Sequence, residues 1–145
     1  MSGTDTAPTL QLEKQVCFAL YSAARAAQQA YRPLLDELGL TYPQYLVLLV
    51  LWEQDGPSVS ELGARLHLDS GTLSPLLRRL DTHGFITRRR QEADSRRVTV
   101  HLTEAGDALR ERAVDVQRCL LDAVGLSGPE LLALRDLSRR FVSAG

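Results

Sequence analysis

The chain has 145 residues, 44% of them hydrophobic, with 17 basic against 18 acidic side chains and a formal net charge of −1. A chain of that size forms one ordinary domain burying about two-thirds of its surface, and with no signal peptide and no apolar run of about 18 residues it is expected in the cytoplasm, away from membranes. Two cysteines 102 positions apart make neither a disulfide framework nor a zinc site, His67, His83 and His101 are too scattered to ligate a metal, and no phosphate loop, GxSxG elbow or HExxH motif is present, so no cofactor, metal or enzyme activity is expected.

Residues 1–9 read as a polar, loose tail ahead of a single domain over 10–145. Leu12, Val16, Leu20, Ala23, Ala27, Tyr31, Leu34 and Leu38 then recur at three- and four-residue steps up to Gly39. They predict a long helix of about 40 Å at ~1.5 Å per residue, with Pro33 placed to bend or divide it. Pro43 to Gln54 predicts a second helix, so apolar from Leu46 to Trp52 that it belongs at the centre of the core.

The next 45 residues, Ser58 to Leu102, carry the most information. Serine caps at Ser58 and Ser60 open a short helix with Val59, Leu62 and Leu66 on its apolar stripe. After a turn, Asp69 and Ser70 offer caps for a helix that buries Leu73, Leu76, Leu77 and Leu80 and stops at Gly84. Pro75 comes early enough to be tolerated. The opposite face shows Ser70, Thr72, Ser74, Arg78 and Arg79. Hydroxyls beside the unpaired N–H groups of a helix start suit base edges and phosphates, and arginines one turn later reach the DNA backbone.

Two strand-like runs follow, Phe85 to Arg90 and Val98 to Leu102, around a polar turn. Five arginines against Glu92 and Asp94 give this hairpin a local charge of +3 within a chain of −1, the electrostatic footprint of a groove contact. Arg88 and Arg97 belong to that basic surface. Arg96 at the tip is suited to a narrow minor groove, and Asp94, two residues earlier, is placed to hold its guanidinium. The bland alternative is a solvated strand face and serines that only cap. The succession of capped helix, serine-bearing helix and basic hairpin favours a winged helix-turn-helix, over about 43–102, that binds double-stranded DNA.

Beyond the hairpin, Thr103-Glu104 caps a helix to about Val124, and Ser127-Gly128-Pro129-Glu130 resembles a capping box for a last helix bearing Leu131, Leu134, Leu137, Phe141 and Val142. The fold is therefore mainly α with a small β-wing. The surplus apolar faces over about 10–38 and 103–143 fit either a dimer interface or a larger monomer core. A homodimer would present two recognition helices to a pseudo-palindromic operator with half-sites about 34 Å apart.

These motifs resemble those of the MarR-type winged-helix repressors. The matching residues are Ser60 to Leu66, Leu68 to Leu73, Leu80 with Gly84-Phe85-Ile86, Asp94-Ser95-Arg96-Arg97 and Leu102 to Gly106. The N-terminal third is similar to the organic-hydroperoxide resistance regulators, through Val16-Cys17-Phe18-Ala19-Leu20-Tyr21-Ser22-Ala23 and Gly39-Leu40-Thr41-Tyr42-Pro43-Gln44-Tyr45. Helical geometry sets Tyr21 on the face of Cys17 and Tyr31 only about 40° away at ~100° per residue. Phenol donors beside a cysteine favour the thiolate, the nucleophile toward peroxide. The residues alone leave open that Cys17 is an inert core thiol. The resemblance implies that Cys17 is the peroxidatic cysteine, supported by Tyr31 and Tyr42, with Tyr42 approaching from the other subunit.

The resemblance also implies that Cys119 resolves the sulfenic acid through an intersubunit disulfide; the alternative is a buried spectator used as a small hydrophobe. The function so implied is a redox-sensing repressor that grips DNA as a reduced homodimer and lets go when an organic hydroperoxide oxidises Cys17. A regulator gated by a small phenolic ligand, or a thiol peroxidase, are the competing readings.

Overall fold

In a computed structural model that describes residues 8–144, six helices and one hairpin follow in the expected order. Most of the expected loose tail, residues 1–7, lies outside the described residues. A 3₁₀ turn over Leu12–Lys14 precedes α1, Val16–Asp36. Pro33 neither ends nor divides α1. A proline removes one hydrogen bond, to the carbonyl four residues back. That carbonyl belongs to Gln29, which is exposed, so water can take the place of the lost N–H.

The helix α2, Tyr42–Glu53, starts at a full capping box: Thr41 Oγ1 accepts from the Gln44 N–H while Gln44 Oε1 accepts from the Thr41 N–H at 3.0 Å. It is apolar on every side, as a central core helix must be, and Tyr45, Val47, Leu48 and Leu51 are essentially inaccessible.

Helices α3, Val59–Leu66, and α4, Ser70–Thr82, make the helix-turn-helix. Ser58 and Asp69 cap them by accepting from Glu61 and Thr72 N–H groups. The turn is tight because Gly63 has no side chain: a Cβ there would lie 2.7 Å from the Leu68 carbonyl oxygen. His67 takes the left-handed conformation at φ 56° to reverse the chain.

The wing is an antiparallel pair, β1, Ile86–Arg90, and β2, Val98–Leu102, in register from Ile86 opposite Leu102 to Arg90 opposite Val98. Its second strand is also tied to α3 by a bridge between Thr99 and Ser58 and by the Val100 N–H donating to the Pro57 carbonyl at 2.9 Å. Leu62, Leu73, Leu80, Ile86 and Val100 close the core beneath the wing.

Helix α5, Glu104–Val124, packs on α1 and α2 and ends at Gly125 in the left-handed region at φ 74°. Helix α6, Gly128–Ser143, begins at a capping box of Ser127 and Glu130 and buries none of its residues. Leu132, Leu134, Leu137, Phe141 and Val142 stay in the open, as do Val16 and Phe18 on α1. The larger monomer core weighed against a dimer is thus not what these helices build. Among the described residues no helix is long and apolar enough to cross a membrane.

Candidate functional site

Two groups of side chains carry candidate chemistry, one on the surface and one inside the core. The first is the basic face of α4 and the wing, where Ser70, Thr72, Ser74, Arg78 and Arg79 are all exposed. Asp69 Oδ1 accepts from the Thr72 N–H at 2.7 Å, and these hydrogen bonds hold the Asp69 carboxyl below its ordinary range. A charged carboxylate therefore already occupies part of the α4 N-terminus. The expected Asp69 cap thus takes the Thr72 N–H at the helix start, beside the exposed hydroxyls and arginines.

Between α3, α4 and the wing runs a groove of about 520 Å³ lined by Ser58, Ser60, Ser74, Arg88, Arg96 and Arg97. Its arginines are not equivalent. Arg88 Nε donates to Asp81 Oδ2 at 3.0 Å and Arg97 Nη2 to Glu61 Oε1 at 3.0 Å. The Arg97 guanidinium also keeps the Glu61 carboxyl below its usual range. The Arg96 guanidinium makes no ion pair among the described residues. Asp94 does not hold it, contrary to the sequence expectation: its Oδ1 accepts from the Arg96 backbone N–H at 3.0 Å. Asp94 shapes the wing turn through the main chain and leaves the arginine side chain at liberty.

The second group lies among α1, α2 and α5. Tyr31, Tyr42 and Tyr45 form a triangle of rings with centroids 5.1, 5.6 and 6.3 Å apart. Burial raises the ionisation of all three above that of a free phenol, Tyr31 furthest, so each remains a neutral donor. The Tyr31 hydroxyl donates to Gln117 Oε1 on α5 at 3.1 Å.

Cys17 is not part of that triangle within its own chain. It stands in the first turn of α1, exposed, and Tyr31 is fourteen residues further along the same helix. At ~1.5 Å per residue that is about 21 Å, a separation that a shared helical face does not shorten. Of the phenols expected around the thiol, only Tyr21 is one turn away, and it is 60% exposed with the Arg25 guanidinium over its ring at 5.5 Å. Cys119, on α5 two residues beyond Gln117, is exposed rather than the buried spectator of the alternative reading, and both thiols are free.

Two residues of this region were given no role by the sequence reading. Tyr45 was named only as the last residue of the Gly39–Tyr45 motif, just ahead of the apolar run, and Gln117 is one polar residue among many on α5. Tyr45, Trp52, Val114, Gln117 and Leu121 also line an apolar cleft of about 660 Å³ between α2 and α5. Among the described residues, no group of three or more His, Cys, Asp or Glu gathers to hold a metal ion.

The SarA/Rot transcriptional regulator family matches residues 29–112. The organic hydroperoxide resistance transcriptional regulator of Bacillus subtilis is 48% identical over 127 residues, 88% of this chain and 86% of that protein. AbfR of Staphylococcus epidermidis has been solved in a reduced form bound to DNA, with 32% identity, a TM-score of 0.76 and coverage of 92% of this chain and 94% of that one. Its disulfide form matches with 33% identity and a TM-score of 0.67 over 90% of this chain and 92% of that one. BpsR of Bordetella bronchiseptica, whose DNA binding is regulated by 6-hydroxynicotinic acid, matches with a TM-score of 0.84 and 26% identity over 96% of this chain and all of that one.

Proposed function

The chain belongs to the SarA/Rot-type, MarR-like winged-helix transcriptional regulators and is related to the organic hydroperoxide regulators, and on that premise we propose that it is a repressor whose hold on DNA is set by the oxidation of Cys17. In its reduced form a homodimer grips operator DNA. The α4 faces, with Ser70, Thr72, Ser74, Arg78 and Arg79, enter successive major grooves, and Arg88, Arg96 and Arg97 of the wings follow the flanking backbone and minor groove. The apolar residues left in the open on α1 and α6 supply the surface that a partner covers.

The observation that carries the sensing role is the placement of the thiol. Cys17 is exposed on a helix whose neighbours Val16 and Phe18 are also exposed, while Tyr31, whose hydroxyl would have to leave Gln117 to reach a thiolate, stands four turns further along α1, ring to ring with Tyr42. Tyr31 lies against Tyr42, so a partner subunit that brings Tyr42 to Cys17 brings Tyr31 close as well. This extends the expectation, which assigned only Tyr42 to the partner. The exposed apolar residues around Cys17 favour an alkyl over a plain hydrogen peroxide.

The chemistry is a two-electron transfer in two steps. The Cys17 thiolate attacks the terminal oxygen of the hydroperoxide, the O–O bond breaks, and the alcohol leaves after taking up a proton, with sulfur oxidised to sulfenic acid. The Cys119 thiolate of the other subunit then attacks that sulfur, and hydroxide departs as water with the uptake of a proton, leaving a disulfide. Cα atoms of a disulfide lie within about 7 Å, so the bond draws the α1 and α5 helices together and changes the relation of the two α4 helices. Nothing in this sequence of steps regenerates the thiols, which fits a sensor rather than a peroxidase.

A second reading is favoured by the apolar α2–α5 cleft and by the likeness to BpsR: release by a small aromatic ligand. Gel-shift titrations with an organic hydroperoxide and with aromatic acids separate the two. Wild type should release DNA on oxidation and Cys17→Ser should bind DNA but ignore the peroxide. Normal release by that variant would refute the sensor.

A further inference from the structure

The sensor tyrosines and the recognition helix are far apart in sequence, but one row of side chains joins them. Tyr45 packs against Tyr31 and Tyr42 on one side and meets Trp52 edge-on at 6.2 Å on the other. Both Tyr45 and Trp52 are buried, at 1% and 7% exposure, so neither ring can be displaced without moving its neighbour. Trp52, at the far end of α2, then makes a single directional contact: its indole Nε1–H donates to the Gly106 carbonyl at 3.0 Å in a buried setting.

Gly106 is itself locked. A Cβ at this position would fall 2.0 Å from the Phe85 carbonyl oxygen, so the first turn of α5 rests directly on the backbone that leads from α4 into β1. The same Phe85 carbonyl accepts from the Thr103 N–H at 3.1 Å, and the Phe85 N–H donates to Leu80 in the last turn of α4. The junction between recognition helix and wing is thus clamped to the start of α5, and the indole is the hydrogen bond from α2 that reaches that clamp.

We propose that Trp52 is the coupling residue of the switch, passing a displacement of the Tyr31–Tyr42–Tyr45 rings through its indole N–H to the Gly106–Phe85 junction and so to the angle of α4. The inference rests on the redox reading above and specifies how that reading reaches DNA. A shift of the tyrosine cluster pushes Tyr45, Tyr45 levers the indole, and the indole carries α5's first turn with the end of α4. Packed cores move between discrete arrangements rather than deforming smoothly, which lets a small shift at the rings emerge as a new helix angle.

The test uses the full-length dimer and the variant Trp52→Phe, which keeps an aromatic ring and removes the N–H. Operator affinity is measured before and after treatment with an organic hydroperoxide, with the oxidation state of Cys17 read by mass spectrometry in the same samples. Wild type should lose affinity in step with Cys17 oxidation; the variant should oxidise equally yet have its loss of affinity reduced by about tenfold. A residue that only stabilises the fold would weaken DNA binding in both states alike and leave the ratio unchanged. Equal release by wild type and variant overturns the coupling role, whereas a wild type that oxidises and stays bound overturns the redox reading and this inference with it. A second readout needs no variant. Trp52 is the only tryptophan in the chain, so its emission should shift during oxidation of the wild-type protein at the rate of affinity loss, and emission that stays constant through complete oxidation and release overturns the proposal.

Discussion

The Tyr31 hydroxyl donates a hydrogen bond to the amide oxygen of Gln117, 86 residues later in the chain, at 3.1 Å. The bond ties the tyrosine triangle of α1 and α2 to α5, and it does so two residues from Cys119. Removing either partner costs the bond. Tyr31→Phe and Gln117→Leu should each lower stability by about 1 kcal/mol, and the double variant should fall short of their sum by a similar amount. Urea unfolding of the four proteins gives the cycle, and strict additivity would show that the pair contributes nothing.

The buried phenols make a prediction about alkaline pH. All three of Tyr31, Tyr42 and Tyr45 ionise above the ordinary phenol value of 10.0 in the folded chain, mainly because burial penalises the phenolate. The unfolded chain therefore releases these protons first, and stability present in full below pH 10 is lost as pH rises beyond it. Thermal melts followed from neutral pH upward should show the midpoint falling from about pH 10, and Tyr31→Phe should make that fall shallower. An identical slope in the variant would exclude Tyr31 as a contributor.

The wing arginines should separate by their partners. Arg96, with no ion pair among the described residues, is free for a phosphate or a minor groove, so Arg96→Ala should weaken operator binding about tenfold and reduce the salt dependence by roughly one ion. Arg97 is shared with Glu61, so Glu61→Gln should release it and tighten binding at low salt. Operator titrations across a salt series measure both. A weakened Glu61→Gln protein would mean that the acid aims Arg97 instead of competing for it.

Cys119 is tested by what happens without it. Cys119→Ala should leave reduced DNA binding unchanged, and after peroxide it should hold Cys17 as sulfenic or more highly oxidised acid. Non-reducing gels should show a crosslinked dimer for the oxidised wild type alone. A crosslinked dimer from the variant excludes Cys119 as the resolving thiol.

Much of this architecture could be read locally. Ser58, Asp69, Thr103 and Ser127 each cap the helix that their sequence neighbours announce, because a cap acts within three residues. The hairpin was legible as two strand-like runs around a polar turn for the same reason. Cys17 and Tyr31 show where that logic stops: helical periodicity gives the angle between two side chains and says nothing of the four turns that part them. Asp94 was given the guanidinium of Arg96 from proximity in sequence, yet the turn brought the backbone N–H to the carboxylate first. Gln117 owes its role to Tyr31 on another helix, as Tyr45 does in part, and no window of neighbouring residues contains that partner.

The pairing of β2 with both β1 and the Pro57–Ser58 segment leaves the outer side of β1 as the wing's open sheet edge. An open edge is a template on which another extended chain can add itself. Here that edge belongs to Arg88, Arg89 and Arg90, all exposed, so a second wing approaching it meets like charge. Neutralising all three should therefore be felt first as a loss of solubility in concentrated, DNA-free solution.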